Sequence, residues 1–426
     1  MAHITPTPAG SWRANWRDPS GRQRAKTFAT KRDAKRFLAE LETSLTRGLY
    51  VDPHAGRMLL APYATRWLSS RNDEITTRAR DASVMRTHVL PAWGTWALGR
   101  IDHTSVQEWI SDLGQRRSAA TVAEAHRLLS AVLRAAVRDR KIAYNPCDGV
   151  KVPRRRKRDT ADQIVERNLV RHRLLPVVPL RYRALIATAA GTGMRWGELA
   201  GLCDDAIDDG LRTVRVVRTV VEVSGTTTFK PFPKSAAGRR VIPVPSWVRP
   251  ILATHLEHHP LGDNGLIFGN QVGRPLRRTL FRIRVWRPAL VRAGLLGRIT
   301  HTGDDRFLAT WVESGGATIS KPFDTEPAAV SYIAEHAPGG LRFHDLRHSY
   351  ATWLVDDGVP INMVQRVMGH ERSSTTLDLY TRRTDNHHRI LQAMDDDGGD
   401  PDTTTLADFP LTPTAKARFE DLEPGL

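Results

Sequence analysis

Hydrophobic and polar residues alternate over two short stretches near the N-terminus. These are SWRANWRD, which begins at Ser11, and RQRAKTFA, which begins at Arg22, and Pro19-Ser20-Gly21 between them is typical of a turn. Thr30 then precedes KRDAKRFLAEL, a segment of helix-forming residues. The pattern predicts a small sheet packed on one helix, which we assign to residues 1–54.

The next region, 57–150, is predicted to be helical. In TVAEAHRLLSAVLRAAVRDR the apolar residues recur at helical spacing: Val122, Ala125, Leu128, Leu129, Val132, Leu133 and Ala136. Asn145-Pro146 ends this unit. The following KVPRRRKRD has six bases in nine residues and no means of forming a core. Residues 151–164 are therefore predicted to be a basic linker, either lying along a phosphate backbone or simply unstructured.

From 165 to 394 the pattern is mixed. A helix is predicted from Tyr182 to Ala190, a β-hairpin system in RTVRVVRTVVEV and TTTFKPFPKSAAGRRVIPV, and further helices at Glu371–Tyr380 and Thr384–Met394. The remainder, 395–426, is rich in Asp, Thr and Pro and is predicted to be a disordered acidic tail.

The fold class that follows is multidomain and mainly α with small β-sheets. It consists of an N-terminal three-stranded sheet plus helix, a helical domain and an α+β domain. Placing 307–335 on 12–40 without a gap gives nine identities, including Ala14/Ala309 and Trp16/Trp311. We therefore expect a compact sheet-plus-helix insertion at about 303–338, with duplication and convergence on a common motif both open as explanations.

Charge points to a polyanionic partner. The 426-residue chain has a net charge of +17 and a pI near 10.5, and because the tail contributes −7, residues 1–394 carry +24. Such a balance is typical of nucleic-acid binding. The bases predicted to contact DNA are Arg13, Arg17, Arg22, Arg24 and Lys26 on one exposed sheet face, and Arg154, Arg155 and Arg156 in the linker. A merely solvated basic face is the alternative.

The cysteine content and the distribution of apolar residues indicate the cellular compartment. Two cysteines, Cys147 and Cys203, are too few for a disulfide framework, and neither an apolar signal core nor a membrane-spanning stretch is found. We expect a cytoplasmic protein, associated with the nucleoid when it is bound to DNA.

The candidate chemistry begins at His344-Asp345-Leu346-Arg347. His344 and His348 have the i, i+4 spacing of zinc ligands, but no adjacent glutamate offers a base and Arg347 between them would repel a cation. Arginine instead binds phosphate bidentately, and histidine moves protons near neutral pH. A phosphate-handling site is the better interpretation.

Further residues of this type occur in a distinctive order. They are Arg195 in GTGMRWGELAGL, Lys234 in FKPFPKSAAGRRVIPV, His344 and Arg347, His370 in Gly369-His370, and Tyr380 in SSTTLDLYTR. The set closely resembles the tyrosine recombinases, phage-type integrases in particular, and the resemblance covers essentially the whole chain. It implies phosphate binding by Arg195 and Arg347, nucleophilic attack by Tyr380, and proton transfer or oxygen binding by Lys234, His344 and His370.

Physical chemistry agrees with these implied roles. A pentacoordinate phosphorus carries more negative charge than the diester, so two guanidinium groups stabilise it selectively. Lys230 is a rival to Lys234, and Tyr350 is a rival to Tyr380 that we expect to lie in the core. Glu198 and Asp345 are expected to orient the two arginines.

The resemblance implies a site-specific DNA recombinase, an integrase of a mobile element or phage, that forms a covalent 3′-phosphotyrosine intermediate. Its implied partners are double-stranded attachment sites, three further copies of itself in a tetramer, and an accessory directionality factor; no cofactor is implied. A type IB topoisomerase-like enzyme and a non-catalytic DNA-binding regulator are the alternatives.

Overall fold

Buried apolar side chains form one small cluster near the N-terminus, one in the helices that follow, and a large and a small one in the C-terminal half. The computed structural model describes residues 2–18, 21–46, 55–154, 164–230 and 239–369. We call its parts the N-terminal module (2–46), the helical unit (55–150) and the C-terminal unit (164–369). An architecture of helices with small antiparallel sheets confirms the predicted fold class. None of the described helices is long and apolar enough to cross a bilayer.

The N-terminal module is a three-stranded antiparallel sheet covered by one helix. Its elements are β1 (His3–Pro6), β2 (Trp12–Arg17), β3 (Gln23–Phe28) and α1 (Lys31–Thr46). Alternation along β2 directs Ala14 and Trp16, which are 0% and 4% exposed, toward α1. Thr30 begins the helix, because its Oγ1 accepts a hydrogen bond from the Asp33 N–H at 3.2 Å.

The prediction that five bases share one exposed face of this sheet is wrong. Arg13 and Arg17 lie on the face of β2 that points away from α1, and both are exposed. Cross-strand partners share a face, and the partners of Arg24 and Lys26 are the two β2 residues that pack against α1. Arg22 precedes β3. The open face therefore carries two of the five bases.

Arg24 and Lys26 instead make contacts within the module. The Arg24 guanidinium binds the Asp18 carboxylate at 3.1 Å. The Lys26 ammonium lies 5.3 Å from the Phe28 ring centroid and 5.0 Å from that of Phe37. Arg24 thus links β3 to the end of β2, and Lys26 stabilises the packing of the sheet on α1.

The helical unit surrounds the second cluster. Its helices are α2 (Leu60–Ser69), α3 (Ile75–Val84), α4 (Leu90–Trp93), α5 (His103–Arg116) and α6 (Ala119–Arg138). The apolar face predicted for α6 is buried. Asp81 is 0% exposed, and its carboxylate accepts hydrogen bonds at 2.7 Å from Arg71 and Arg127, which compensates for its burial.

The C-terminal unit combines helices with two small strand pairs and a second three-stranded sheet. Its helices are α7 (Arg167–Leu169), α8 (Leu175–Val177), α9 (Leu180–Thr192), α10 (Trp196–Leu199), α11 (Arg249–His258), α12 (Arg278–Phe281), α13 (Arg287–Arg292), α14 (Glu326–His336), α15 (Asp345–Asp356) and α16 (Ile361–Met368). Its strands are β4 (Thr213–Val216), β5 (Thr219–Val223), β6 (Thr226–Lys230), β7 (Arg240–Pro243), β8 (Arg298–Thr302), β9 (Arg306–Val312) and β10 (Thr318–Phe323). The π-helical stretches Met85–Val89, Val170–Leu174 and Arg282–Trp286 join α3 to α4, α7 to α8 and α12 to α13.

The predicted hairpin system consists of two antiparallel pairs. β5 and β6 form a hairpin closed by Ser224-Gly225, where both residues have positive φ, as a tight two-residue turn requires. β4 pairs with β7, which brings Arg240 to the C-terminal unit's core. The predicted helices at Glu371–Tyr380 and Thr384–Met394 and the tail 395–426 lie outside the described residues.

Residues 298–336, which we call the inserted module, repeat the N-terminal module. All ten cross-strand pairs of β1, β2 and β3 recur in β8, β9 and β10, displaced by 295 positions. The turn glycines Gly21 and Gly316 both have positive φ, 81° and 86°. Thr30 and Thr325 both begin the helix through a side-chain hydrogen bond. The sheet starts at Arg298, ahead of the predicted start near 303.

Both modules contain the same cluster of aromatic rings, with a lysine ammonium group, that of Lys26 or Lys321, lying over it. The ring contacts are Trp16 with Phe37 at 5.3 Å and Trp311 with Tyr332 at 5.5 Å, and Phe28 with Phe37 and Phe323 with Tyr332, both at 5.1 Å. Lys321 lies 4.2 Å from the Tyr332 centroid. Of the nine bases between 13 and 36, Lys26 alone has a basic counterpart, Lys321. The common register favours duplication over convergence, and the second copy has kept the packing but lost the charge.

Candidate active site

Arg195 is held at the start of a short helix by a buried carboxylate. It is the N-cap residue of α10, and its backbone N–H and Nη1 donate to the two Glu198 oxygens at 2.9 Å each. Glu198 is 5% exposed. Its burial would raise the pKa, but hydrogen bonds and charge from Arg240 and Arg195 outweigh this and hold the pKa below its ordinary value. Glu198 thus remains an anion that fixes Arg195, as expected.

Arg347 is almost wholly enclosed. It lies in the first turn of α15, is 3% exposed, and its Nη1 donates to the Gly193 carbonyl at 2.6 Å. Gly193 has φ +62°, and a Cβ there would be 2.4 Å from Cδ1 of Tyr350. Tyr350 is 7% exposed and burial raises its pKa to about 12, so this tyrosine is a core residue, as expected.

Three arginines bind three successive carbonyls at the end of α16. Arg240 Nε donates to Val367 O at 2.5 Å, Arg347 Nη2 donates to Met368 O, and Arg195 Nη2 donates to Gly369 O at 2.9 Å. Carbonyls of a last helical turn lack intrahelical partners, so guanidinium groups satisfy them well. The two candidate phosphate-binding arginines therefore meet beside Gly369, the residue before His370 in the chain.

His344 immediately precedes α15. Its ring meets His348 edge-on, with centroids 4.9 Å apart. Desolvation by the surrounding protein, followed by the nearby His348 and Arg347, lowers the pKa of His344 to about 4, although the residue as a whole is exposed to solvent. Burial likewise lowers the pKa of His348. Both imidazoles are neutral at pH 7.

The remaining predicted residues, Lys234, His370 and Tyr380, lie outside the described residues, as do Arg155 and Arg156. Arg154 is described and exposed. Lys230, the rival of Lys234, ends β6, and its ammonium binds the Glu74 carboxylate next to α3 in the helical unit. Lys230 therefore links the C-terminal unit to the helical unit and is not paired with the site that contains Arg195 and Arg347.

One predicted contact is wrong, and the sequence did not single out Arg342 and Arg240 as residues of the site. Asp345 does not serve Arg347 as expected: it binds the Arg342 guanidinium at 2.9 Å and accepts from the Arg342 N–H at 2.7 Å. Arg240 binds both Glu198 oxygens, at 3.1 and 2.9 Å. Strand alternation could have predicted that Arg240 is buried, because Arg240 and Ile242 point to the same, buried face of β7.

Comparisons with known proteins agree on one family. Residues 328–387 match the model of the phage integrase family. A prophage phiRv2 integrase of Mycobacterium tuberculosis is 27% identical over 380 residues, covering 87% of this chain and 88% of the relative. A tyrosine recombinase XerC-like protein of Caldanaerobacter subterraneus is 24% identical, covering 66% of this chain and 67% of the relative.

The fold is similar to that of a solved integrase. The Tn1549 transposon integrase in complex with a circular intermediate DNA superposes with a TM-score of 0.58 at 18% identity, over 79% of this chain and 99% of that chain. The matched segment 328–387 includes His344, Arg347, His370 and Tyr380. Residues 328–387 thus carry a phage integrase family domain, and the chain as a whole is similar to integrases and tyrosine recombinases in sequence and in fold.

Proposed function

We propose that this protein is a site-specific DNA recombinase of the integrase type, which cuts and rejoins DNA through a covalent 3′-phosphotyrosine intermediate. The observation that carries the proposal is the convergence of Arg195 and Arg347 on the carbonyls of Met368 and Gly369. Two fixed guanidinium groups beside Gly369, the residue before His370 in the chain, form a site for one phosphate. The relatives and the fold support recombination over the topoisomerase and regulator alternatives.

In the proposed cleavage step the Tyr380 hydroxyl oxygen attacks the scissile phosphorus. A bond forms between phosphorus and the tyrosine oxygen, and the bond from phosphorus to the 5′-oxygen breaks. Lys234 gives a proton to the departing 5′-oxygen, and the tyrosine proton passes to a neutral imidazole, that of His344 or His370. The lowered pKa of His344 keeps its ring unprotonated at pH 7 but also makes it a weaker base than an ordinary histidine. Arg195 and Arg347 stabilise the charge that develops on the non-bridging oxygens, which His370 also binds.

Rejoining is the reverse reaction on a new strand. A 5′-hydroxyl attacks the phosphotyrosine and returns its proton to Lys234, the phosphorus–tyrosine bond breaks, and the tyrosine recovers its proton from the imidazole. Because the diester's energy is kept in the phosphotyrosine, strand exchange needs no nucleotide hydrolysis.

The other parts of the chain would supply DNA contacts. We propose that residues 1–54 bind arm-type sites, that 57–150 bind the core site, that 151–164 link them, and that 165–394 carry the chemistry. Recombination of two duplexes in the cytoplasm, at the nucleoid, would require four copies of the chain. An accessory directionality factor stays a prediction.

A nicked suicide substrate containing the attachment site tests the reaction and the nucleophile together. The wild type should form a covalent protein–DNA adduct, Tyr380→Phe should form none, and Tyr350→Phe, which keeps the ring that packs on Gly193, should form it normally. An adduct with Tyr380→Phe would refute the proposed nucleophile. Mixing two marked duplexes then separates recombination, which exchanges the marks, from nicking and closing, which leaves them in place.

A further inference from the structure

A second cluster of arginines lies around a cavity where the inserted module meets the rest of the C-terminal unit. The cavity has a volume of about 550 Å³ and lies between the end of α13, β8, the start of β9 and the stretch that joins α7 to α8. It is lined by Arg173, Arg292, Arg298 and His301, with Glu326 as its one acidic side chain. It shares no residue with the candidate active site.

The charges around this cavity are unbalanced. Across the described ranges, Arg292 and Arg298 make no ion pair with a carboxylate, and Arg173 uses one Nη2 hydrogen bond on the Ala293 carbonyl, at 2.8 Å. Guanidinium groups gathered around one space repel each other, and an anion between them removes that cost. The space therefore favours a ligand with more than one negative charge or several acceptor oxygens.

Local backbone geometry keeps Arg173 in this position. Gly294 follows α13 with φ +65°, and a Cβ there would be 2.7 Å from Nη2 of Arg173. The glycine therefore provides both the left-handed conformation and the room for the guanidinium. Arg298 enters from β8, so the inserted module completes the cluster.

One wall of the cavity is aromatic. His301 and Phe307 line it and are in edge contact, with centroids 5.1 Å apart. Aromatic rings beside arginines are the combination that binds a base together with its phosphate. The volume lies within the range of small-ligand sites.

We propose that this cavity binds the phosphate ester of a nucleotide, with Arg173, Arg292 and Arg298 on the phosphate and the His301–Phe307 wall beside the base. Two sources have this chemistry: a free nucleotide, and a nucleotide within a DNA strand. The cavity includes neither Arg195 nor Arg347, so it can be tested without DNA cleavage.

Arginine protection in the full-length wild type tests the proposal. Phenylglyoxal would be reacted with the protein alone and with inorganic phosphate, deoxyadenosine monophosphate or a duplex present, and the modified peptides would be quantified by mass spectrometry. Arg212 and Arg284, both exposed and outside the cavity, serve as reference positions.

Protection of Arg292 and Arg298 by the mononucleotide supports a free ligand, and protection by the duplex alone supports a strand in the cavity. Protection by neither, or equal protection of the reference arginines, overturns the site.

A pair of matched variants gives a second measurement. Arg292→Gln/Arg298→Gln and Arg212→Gln/Arg284→Gln lose the same charge from exposed positions. If a DNA strand is the ligand, the first variant should lower the slope of log affinity against log salt by about 0.9 for each phosphate that it no longer neutralises, more than the second does. If a free nucleotide is the ligand, the first variant alone should lose the mononucleotide binding measured by calorimetry. Equal behaviour of the two variants in both measurements contradicts the proposal.

Discussion

Glu198 is 5% exposed and holds two guanidinium groups, those of Arg195 and Arg240. Through them it also fixes the end of α16, since Arg240 binds Val367 O and Arg195 binds Gly369 O. Removing one partner of a buried ion pair leaves the other charge uncompensated, which costs more than the pair itself contributes.

The change Glu198→Gln should therefore destabilise the protein at pH 7 by about 3 kcal/mol, measured by urea unfolding. A control is Glu222→Gln, whose carboxylate binds the half-exposed Arg277 at 3.4 Å and should cost under about 1 kcal/mol. Because the folded pKa of Glu198 lies below its unfolded value, its contribution is present above the unfolded pKa and is lost as the pH falls through the folded pKa. The stability of Glu198→Gln should therefore fall less than that of the wild type as the pH is lowered. If the stability of both proteins depends on pH in the same way, Glu198 is not the proposed buried anion.

Gly193→Ala should impair both stability and adduct formation, because a Cβ collides with Tyr350 and the same residue's carbonyl holds Arg347. Gly358→Ala is the matched control: its φ is +82°, but nothing lies within 4 Å of the added carbon. Backbone strain alone should cost about 1 kcal/mol there and leave the adduct yield unchanged. Equal effects of the two changes in thermal unfolding and adduct yield would mean that the collision is unimportant.

At the scale of elements, comparing the N-terminal module with the inserted module separates the bases that the packing needs from those that it does not need. They share register, turn, cap and aromatic contacts, yet only Lys26 among the nine bases has a basic counterpart. A base kept in both copies is one that the shared packing needs, and a base found in one copy is not required by that shared packing. Arg13 and Arg17, on the open face, belong to the second kind.

Arg13→Gln/Arg17→Gln should therefore weaken duplex binding and lower its salt slope by about 0.9 for each phosphate that is no longer neutralised, measured by fluorescence anisotropy at several salt concentrations. Lys26→Gln should leave the slope nearly unchanged and should instead lower stability by about 0.5–1 kcal/mol, because the cation that lies over two rings is removed. The reverse pattern would place DNA on the α1 side of the sheet.

At the scale of the whole molecule, Lys230 and Glu74 form an ion pair between the C-terminal and helical units, while the proposed nucleophile lies in the segment that follows α16. We expect that segment to serve assembly as well as chemistry, since the helix predicted at 384–394 follows Tyr380.

Deleting the chain from Asp385 onward should leave cleavage of isolated sites intact but impair the pairing of two sites, measured by adduct yield and by gel shift of paired duplexes. A deletion from Asp395 onward removes the acidic tail alone and serves as the control. Unchanged recombination by the longer deletion would rule out a role for 385–394 in assembly.

The sequence by itself determined the kinds of element, the repeat at 307–335 and the order of the six candidate residues, because periodicity and spacing are local properties of a chain. The tertiary structure decided which residues meet. It placed Arg24 and Lys26 on the helix side of their sheet and brought Arg240 to Glu198 across 42 positions. Strand register and the pairing of buried charges depend on contacts between distant segments, and no local pattern encodes them.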